Sequence, residues 1–517
     1  MATNEDTTPA LPPLRGGALV ALTIAVAFST FMEVLDMTIV NVSVPHIAGS
    51  LGVSPSEGTW TISSYALASA IMQPLTGWLA RRFGEVRTFI ASVSLFVLFS
   101  MLCGMATSMP MLVVFRLAQG AGSGPMVALS LSLLLASYPK ARQGMALALW
   151  AMTVVVAPIF GPILGGWLTD NFSWPWIFYI NVPVGALAAI TTWALLHKRE
   201  TKTYKMPIDV VGLVLLVVGV GALQFMLDNG NDHDWFASPM ITTLGITALV
   251  CLTFLIVWEL LAKHPVVDLV LFKRRNFTVA VVALSLGMMA FFGINVVFPL
   301  WLQIALGYTA TWAGLASAPV GVLAFVMAPI IGANIQRLEL RAVVTFAFVV
   351  FAFTSFWFAT FDSSASFGTL VVPRFVMGIG IACFFIPLNQ MYLSGLPADQ
   401  VASASGLANF CRTLASSIST AATVTLWTHR ADYHHAALTE HITPAAAPAR
   451  HFLQQLQQGG LSPTQALDVI DDLMTREALT LSVNDVYLVC AWLFLAMIPL
   501  LWFARPPFGN TEGAVGH

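Results

Sequence analysis

Apolar runs of about 20 residues, the length that carries a helix across bilayer hydrocarbon, recur along the whole chain between short polar or basic clusters. Six lie near Ala18–Val44, Trp60–Ala80, Thr88–Ala106, Met111–Ala136, Met145–Leu168 and Trp176–Leu196. Two more follow near Val210–Leu227 and Met240–Leu261. The last six lie near Phe277–Ile304, Trp312–Ile335, Val343–Phe361, Leu370–Leu393, Ala402–Trp427 and Val486–Phe503. Fourteen membrane-crossing segments are thus predicted. All must be helical, because inside lipid a helix satisfies its own backbone groups. The interval 428–485 differs. It is polar, with a Gln-rich stretch at Phe452–Gln458 and an Asp-rich one at Ala466–Met474, and reads as a solvated helical hairpin.

Composition narrows the class. Only 23 basic and 25 acidic side chains serve 517 residues, 9% charged, against roughly a quarter in a soluble chain. Residues of the AVILMFWYC set reach 57%, and the mean hydropathy is +0.81. Too little polar surface exists to cover a soluble body of this size, and disorder, collagen and coiled coil fail on the same numbers. A net charge of −2 leaves no basic footprint for nucleic acid. The five cysteines sit in apolar stretches without a C-x-x-C pair and read as small core hydrophobes. Residues 1–16, with Glu5, Asp6 and several prolines, do not read as a cleavable signal. Histidines 429, 434, 435, 441 and 451 match no standard ligand spacing, so no metal site is expected there.

The few charges that remain are sorted. Seventeen of the 23 basic residues fall in alternate connections: Arg15; Arg81, Arg82 and Arg87; Lys140 and Arg142; Lys198, Arg199, Lys202 and Lys205; Lys263, Lys273, Arg274 and Arg275; Arg337 and Arg341; Arg505. The positive-inside rule places these connections, and both termini, in the cytoplasm. Arg430, Arg450 and Arg476 lie in the polar interval, which is then external.

An internal repeat organises the segments. A shift of 258 residues aligns Leu112-Val113-Val114 with Leu370-Val371-Val372, Arg116 with Arg374, Gly120 with Gly378, Gly122 with Gly380 and Pro139 with Pro397. At a nearby offset Gly77 and Arg82 match Gly332 and Arg337. The predicted division is a six-helix bundle over residues 1–196, two inserted helices over 197–270, and a second six-helix bundle over 271–517 that carries the external interval. Parallel repeats of this kind build transporters with a central site that opens alternately to each side.

Charged groups inside apolar segments are the most informative, because an unpaired one costs at least about 2.5 kcal/mol there. Glu33 and Asp36 are spaced i,i+3 on the first segment. Arg116, Arg374 and Arg412 lie on the fourth, twelfth and thirteenth. Asp36 and Arg116 are the leading candidates for proton coupling, with Glu33 beside them. The alternative is a static ion pair that fixes packing, which is the reading for Arg374 and Arg412. A carboxylate suits the task, because burial favours its neutral form and an approaching arginine its charged form. Asn41, Gln73, Asn181, Asn295, Gln303, Asn389 and Asn409 are polar residues inside helices, and read as candidate lining of a cavity. With 35 Phe, 15 Trp and 21 Met, that cavity would suit apolar ligands.

Four motifs carry a family resemblance. The first segment reads Leu35-Asp36-Met37-Thr38-Ile39-Val40-Asn41-Val42, and the connection after the second Gly77-Trp78-Leu79-Ala80-Arg81-Arg82-Phe83-Gly84. The fourth offers Arg116, Gln119, Gly120 and Gly122, and the fifth Ala157-Pro158-Ile159-Phe160-Gly161-Pro162-Ile163-Leu164-Gly165-Gly166. Together they resemble the fourteen-helix drug:proton antiporters of the major facilitator superfamily (the EmrB/QacA subfamily), from the first segment to Arg505-Pro506-Pro507-Phe508-Gly509. The resemblance implies proton-driven efflux of apolar toxic compounds across a bacterial inner membrane, with the proton gradient as energy source and no cofactor. It assigns proton transfer to Asp36 and Arg116, a gating loop to Gly77, Arg82, Gly84 and Arg87, and an antiporter motif to Pro158, Gly161, Pro162, Gly165 and Gly166. It also implies a periplasmic adaptor (EmrA-like) and an outer-membrane channel (TolC-like), with the external interval as adaptor contact. Two departures stand out in the loop: Arg81 takes the place of an acid and Glu85 that of a base, which undercuts a charge-paired gate. Independently of the family, glycines at 161, 165 and 166 permit a close helix approach and Pro162 bends the helix.

Rival classes have different requirements. A dedicated exporter of one metabolite or siderophore shares the fold. A membrane enzyme would need a nucleophile, metal or phosphate site, and neither a P-loop Gly-Lys nor His-Glu-x-x-His is present. A channel or nontransporting sensor would need no coupled acid.

Overall fold

The computed structural model describes residues 14–508, apart from positions 42, 54, 59, 140–141, 206, 231–232, 263–264 and 443–445. Residues 1–13, Val42, Lys140, Lys263 and Gly509, used above, lie outside the described residues. Among the described residues the chain is helical, without strands. The first half contributes α1 (Gly17–Ile39), α2 (Trp60–Phe83), α3 (Glu85–Gly104), α4 (Met109–Ser123), α5 (Met126–Ser137), α6 (Gln143–Asn171) and α7 (Asn181–Leu196). Then come α8 (Val210–Asn229) and α9 (Pro239–Leu261). The second half contributes α10 (Arg275–Ile304), α11 (Ala310–Ser317), α12 (Pro319–Asn334), α13 (Leu340–Phe358), α14 (Phe367–Leu393), α15 (Val401–His441), α16 (Ala447–Gln458) and α17 (Pro463–Leu501).

Among the described residues, eleven helical spans are long and apolar enough to cross a membrane. Three of the fourteen predicted segments stand outside that set. One is α6, of which Gln143–Val154 counts as a shorter apolar helix. The others are α2 and α15, and their polarity has a structural reason. α2 carries Thr61, Ser64, Ser69, Gln73 and Thr76, and α15 carries Ser403, Ser405 and Asn409, all buried. These two helices pack on each other between the halves, so their polar faces meet protein rather than lipid.

Packing follows the repeat. α1 packs on α6 and α7, α2 on α4, and α3 on α4 and α7. In the second half α10 packs on α15 and α17, α12 on α14, and α13 on α14 and α17. α8 and α9 pair with each other, and α8 touches α2 and α15. The repeat reaches single contacts. A side chain at Gly120 would collide with the Tyr65 carbonyl, and one at the matching Gly378 with the Val320 carbonyl. Each glycine lets the fourth helix of its half lie against the second.

The halves meet through α2 on α15 and α6 on α12. Here too the crossings are built alike. A Cβ at Gly77 would stand 2.6 Å from Ser403 Cβ, and Gly332 presses on Gly144 and Ala148. Both glycines precede the basic connections, so the two halves are closed on one another at that end of the molecule.

The polar interval is almost entirely helical. α15 runs past the predicted end at Trp427 to His441, and α17 starts at Pro463, well before the predicted Val486. Ser462 starts α17 with a capping box to Gln465 and Pro463 at the first helical position. The fourteen residues of α15 after Trp427 add about 21 Å of helix. Arg430 and His434 both hold Asp485 across the pair, at 2.6 and 2.8 Å, and His435 holds Asp471 at 3.1 Å.

Gly77→Val and Gly332→Val should lower the thermal unfolding midpoint of the detergent-purified protein, since overpacking a tight contact costs about 1–3 kcal/mol. Gly221→Ala, with no atom within 4 Å of the added carbon, should not lower it. A Gly77→Val protein as stable as its parent would contradict the close crossing.

Candidate functional site

Asp36 and Arg116 are brought together by the helices that carry them. Both side chains are almost fully inaccessible. Arg116 Nη1 donates to Asp36 Oδ2 at 2.5 Å and to Gln119 Oε1 at 2.8 Å, while its Nε donates to the Thr61 carbonyl at 2.9 Å. The other carboxylate oxygen, Oδ1, accepts from Asn181 Nδ2 at 2.9 Å and from Gln119 Nε2 at 3.1 Å. Asn181 also donates to Ser100 Oγ at 3.0 Å, and Ser100 to the Phe178 carbonyl at 2.9 Å. Cys103 Sγ donates to Gln119 Oε1 at 3.5 Å. The guanidinium lies over the Tyr65 ring at 4.2 Å and near that of Phe178 at 5.5 Å.

The result is a sealed polar cluster drawn from α1, α2, α3, α4 and α7. Every contact of the carboxylate is with a donor, the environment of an ionised acid. The low dielectric strengthens each bond and also makes any lost partner costly. Asn181 is read from sequence as a polar residue in a helix and Gln119 as part of the fourth segment's motif, and here both touch Asp36. Thr61, Tyr65, Ser100 and Cys103 carry no comparable signal, because Ser, Thr and Cys inside a membrane helix commonly bond their own backbone or simply pack.

Glu33 lies one turn before Asp36 but has different neighbours. It is buried, its Oε2 has no hydrogen bond, and the charge facing it from outside its own half is Arg412 on α15. Arg412 is half-buried. Among the described residues it forms no ion pair within 4 Å. Glu33 therefore borders the seam between the halves, whereas Asp36 points into its own half.

Arg374 occupies the repeat-related position in the second half. Its Nη1 donates to Asn295 Oδ1 at 3.0 Å, its guanidinium stacks 3.9 Å from the centre of the Phe298 ring, and Tyr487 stands beside it. Nε and Nη2 carry no hydrogen bond. Asn295 sits 259 residues after Asp36. The second half thus repeats the first with an amide where the first has the acid.

The other candidates are placed as follows. In the loop, a side chain at Gly84 would overlap the Glu200 carboxylate. Glu200 instead accepts the backbone N–H of Val86 and Arg87 at the start of α3, at 3.0 and 2.8 Å. Arg87 is exposed, with Nε 3.9 Å from Glu200, and Arg82 lies 6.0 Å from the Phe83 ring. Glu85 takes a hydrogen bond from Ser132 at 2.8 Å and forms no ion pair among the described residues, so the pairing at this corner is the long Arg87–Glu200 one. In α6, Gly161 abuts Thr38 of α1, two residues beyond Asp36. Gly165 is buried, and Gly166 has open space, with Thr311 of α11 as its nearest neighbour at 3.9 Å. The side chains of Pro158 and Pro162 lie outside the described residues. Gln73 is buried at the α2–α15 seam with Oε1 unpartnered, as is Asn409 with its Nδ2. Asn389 donates to the Phe385 carbonyl at 2.6 Å. Asn41 and Gln303 are exposed, and the structure does not bring them to the cluster.

Comparison with known proteins finds relatives over nearly the whole chain. The model of the Major Facilitator Superfamily matches residues 26–420. The multidrug export protein EmrB of Escherichia coli K12 is 50% identical over 505 residues, covering 98% of this chain and 99% of that protein. EmrB of Haemophilus influenzae is 50% identical over 502 residues, 97% and 98% of the two chains. The fatty acid resistance protein FarB of Neisseria gonorrhoeae is 49% identical over 506 residues, 98% and 99%. Among solved structures, the proton:xylose symporter XylE superposes with a TM-score of 0.59 at 13% identity, covering 94% of this chain and 96% of that one. At that identity the match speaks for the fold alone.

Removing one partner of a buried ion pair typically costs about 3–5 kcal/mol, so Arg116→Ala should sharply lower the unfolding midpoint in detergent. Asn295→Asp, which gives Arg374 the counter-ion it lacks, should leave the midpoint unchanged or raise it. An Arg116→Ala protein of parental stability would show that the pair contributes nothing to the fold.

Proposed function

The chain belongs to the major facilitator superfamily, and we propose that it expels apolar toxic compounds from the cell in exchange for protons. The observation that carries this reading is the sealed Asp36–Arg116 cluster, an acid bound on all sides by donors next to the moving seam of the halves. In the proposed cycle, separating α2 from α15 and α6 from α12 opens the end that bears the basic connections. Substrate enters between the halves. Closure there and opening at the other end let protons reach Glu33 and then Asp36. Protonation of Asp36 removes the charge that holds Arg116, and loss of the proton restores it. Arg374, with Asn295 in place of an acid, stays charged throughout, so a single half does the proton work.

The finer reading adds topology and partners. Eleven spans together with α2, α6 and α15 make fourteen, arranged as six, two and six over residues 1–196, 197–270 and 271–517. Seventeen basic residues in alternate connections support cytoplasmic termini. The setting is a bacterial inner membrane, and the hairpin of α15, α16 and α17 contacts a periplasmic adaptor of the EmrA type, which leads to a TolC-like outer-membrane channel. The relatives named for multidrug export support a broad substrate range. The relative named for fatty acid resistance supports a second reading, a dedicated exporter of one amphiphile.

Efflux profiling in a pump-deficient host tests the function. The intact protein should lower accumulation of several unrelated apolar compounds, an uncoupler should abolish the effect, and Asp36→Asn should do the same without loss of membrane insertion. Efflux by Asp36→Asn at the parental rate would sink the proton role, and export of a single compound would favour the dedicated exporter. Replacing residues 443–461 by a short linker should spare insertion yet abolish co-purification with the adaptor; retained binding would refute the hairpin contact.

A further inference from the structure

A groove of about 480 Å³ opens between α2, α3 and the junction of α4 with α5. It lies apart from the Asp36 cluster and is not used by the cycle above. Its walls change character along their length. At one end stand Arg82, Arg87 and Thr203, and beyond them the lining is apolar, through Leu79 and Leu95 to Pro125 at the helix junction. Leu95 and Phe83 are exposed on the outer surface, so the groove faces the membrane rather than the seam between the halves.

Among the described residues neither guanidinium at its mouth forms a hydrogen bond, and only Arg87 has an ion pair, the long one to Glu200. Arg82 forms no ion pair among the described residues, and its recorded neighbour is the Phe83 ring at 6.0 Å. Arg87 reaches Glu200 only at 3.9 Å, and that carboxylate is already occupied by the backbone N–H of Val86 and Arg87. Two arginines with N–H donors to spare above an apolar channel match a ligand with an anionic head and a hydrocarbon tail. The guanidinium fork suits phosphate oxygens in particular.

We propose that this groove binds an acidic phospholipid of the cytoplasmic leaflet, with its phosphate between Arg82 and Arg87 and one acyl chain along Leu79 and Leu95. The proposal uses the membrane orientation given above and is independent of the transport chemistry. That leaflet carries anionic lipid, which attracts basic residues at its surface. The tail ends against Gly122 and Pro125, at the break that divides α4 from α5. Gly122 is six residues from Arg116, about 9 Å along the same helix. Lipid occupancy therefore supports the helix that holds the buried pair.

Native mass spectrometry of the full chain in neutral detergent, with phosphatidylglycerol or phosphatidylcholine added, tests the site. The parent should retain phosphatidylglycerol in preference, and Arg82→Gln/Arg87→Gln should weaken that retention by about tenfold or more, the scale set by two interfacial charges. Should the double variant fail to purify, Arg87→Gln alone, at an exposed position, should still reduce it. Raising ionic strength should weaken binding in the parent but not in the double variant. Equal retention of the two lipids, or unchanged retention in the arginine variants, would overturn the proposal. So would displacement of the lipid by an exported dye whose own binding ignores both arginines, because the groove would then belong to the substrate.

Discussion

The structure depends on keeping one carboxylate satisfied where water is absent. Arg116, Gln119 and Asn181 all donate to the Asp36 carboxylate. Those donors arrive from two helices, α4 and α7, so their positions fix how these pack against α1. Glycine at 120 lets α2 and α4 close up enough for Arg116 to reach both the Thr61 carbonyl and Asp36. Gly161 does the same for α6 and α1 beside Thr38. The tight packing is thus partly a device for delivering hydrogen bonds to one buried acid, and a change in that acid's charge is felt by every helix around it.

The second half shows what the same scaffold does without the acid. Arg374 keeps the position of Arg116, and aromatic faces and Asn295 replace the carboxylate. A guanidinium tolerates this because it is delocalised and weakly hydrated. The asymmetry is one of composition: the first half buries an acid beside its arginine, and the second buries an amide and aromatic rings there. Between them the α2–α15 and α6–α12 crossings, each relieved of side-chain bulk by glycine, form the contact between the halves.

Much of this was legible in the chain itself, for physical reasons. Charges are so costly in lipid that Glu33, Asp36 and Arg116 stand out in apolar runs, and the repeat is visible because the same close contacts are needed twice. Other features left weaker traces. Ser100 and Cys103 sit in an apolar helix like many inert residues, so their bonds to Asn181 and Gln119 could not be read. α4 and α5 look like one run, although Gly124 and Pro125 divide them. A helical hairpin was legible in the polar interval, but the unbroken run of α15 to His441 was not, because no apolar boundary marks a helix end outside the membrane; ion pairs to Asp485 and Asp471 help to brace it. The polarity of α2 and α15, ambiguous in isolation, is explained once they are seen to face each other.

The central claim is that Asp36 exchanges its proton in step with substrate. The most direct measurement is proton release into weakly buffered detergent solution, read with a pH-sensitive dye, when an exported compound is added to purified protein. The parent should release protons in proportion to bound compound, and Asp36→Asn should bind the compound while releasing fewer. Equal release from the two proteins would contradict the account, because the proton would then come from elsewhere.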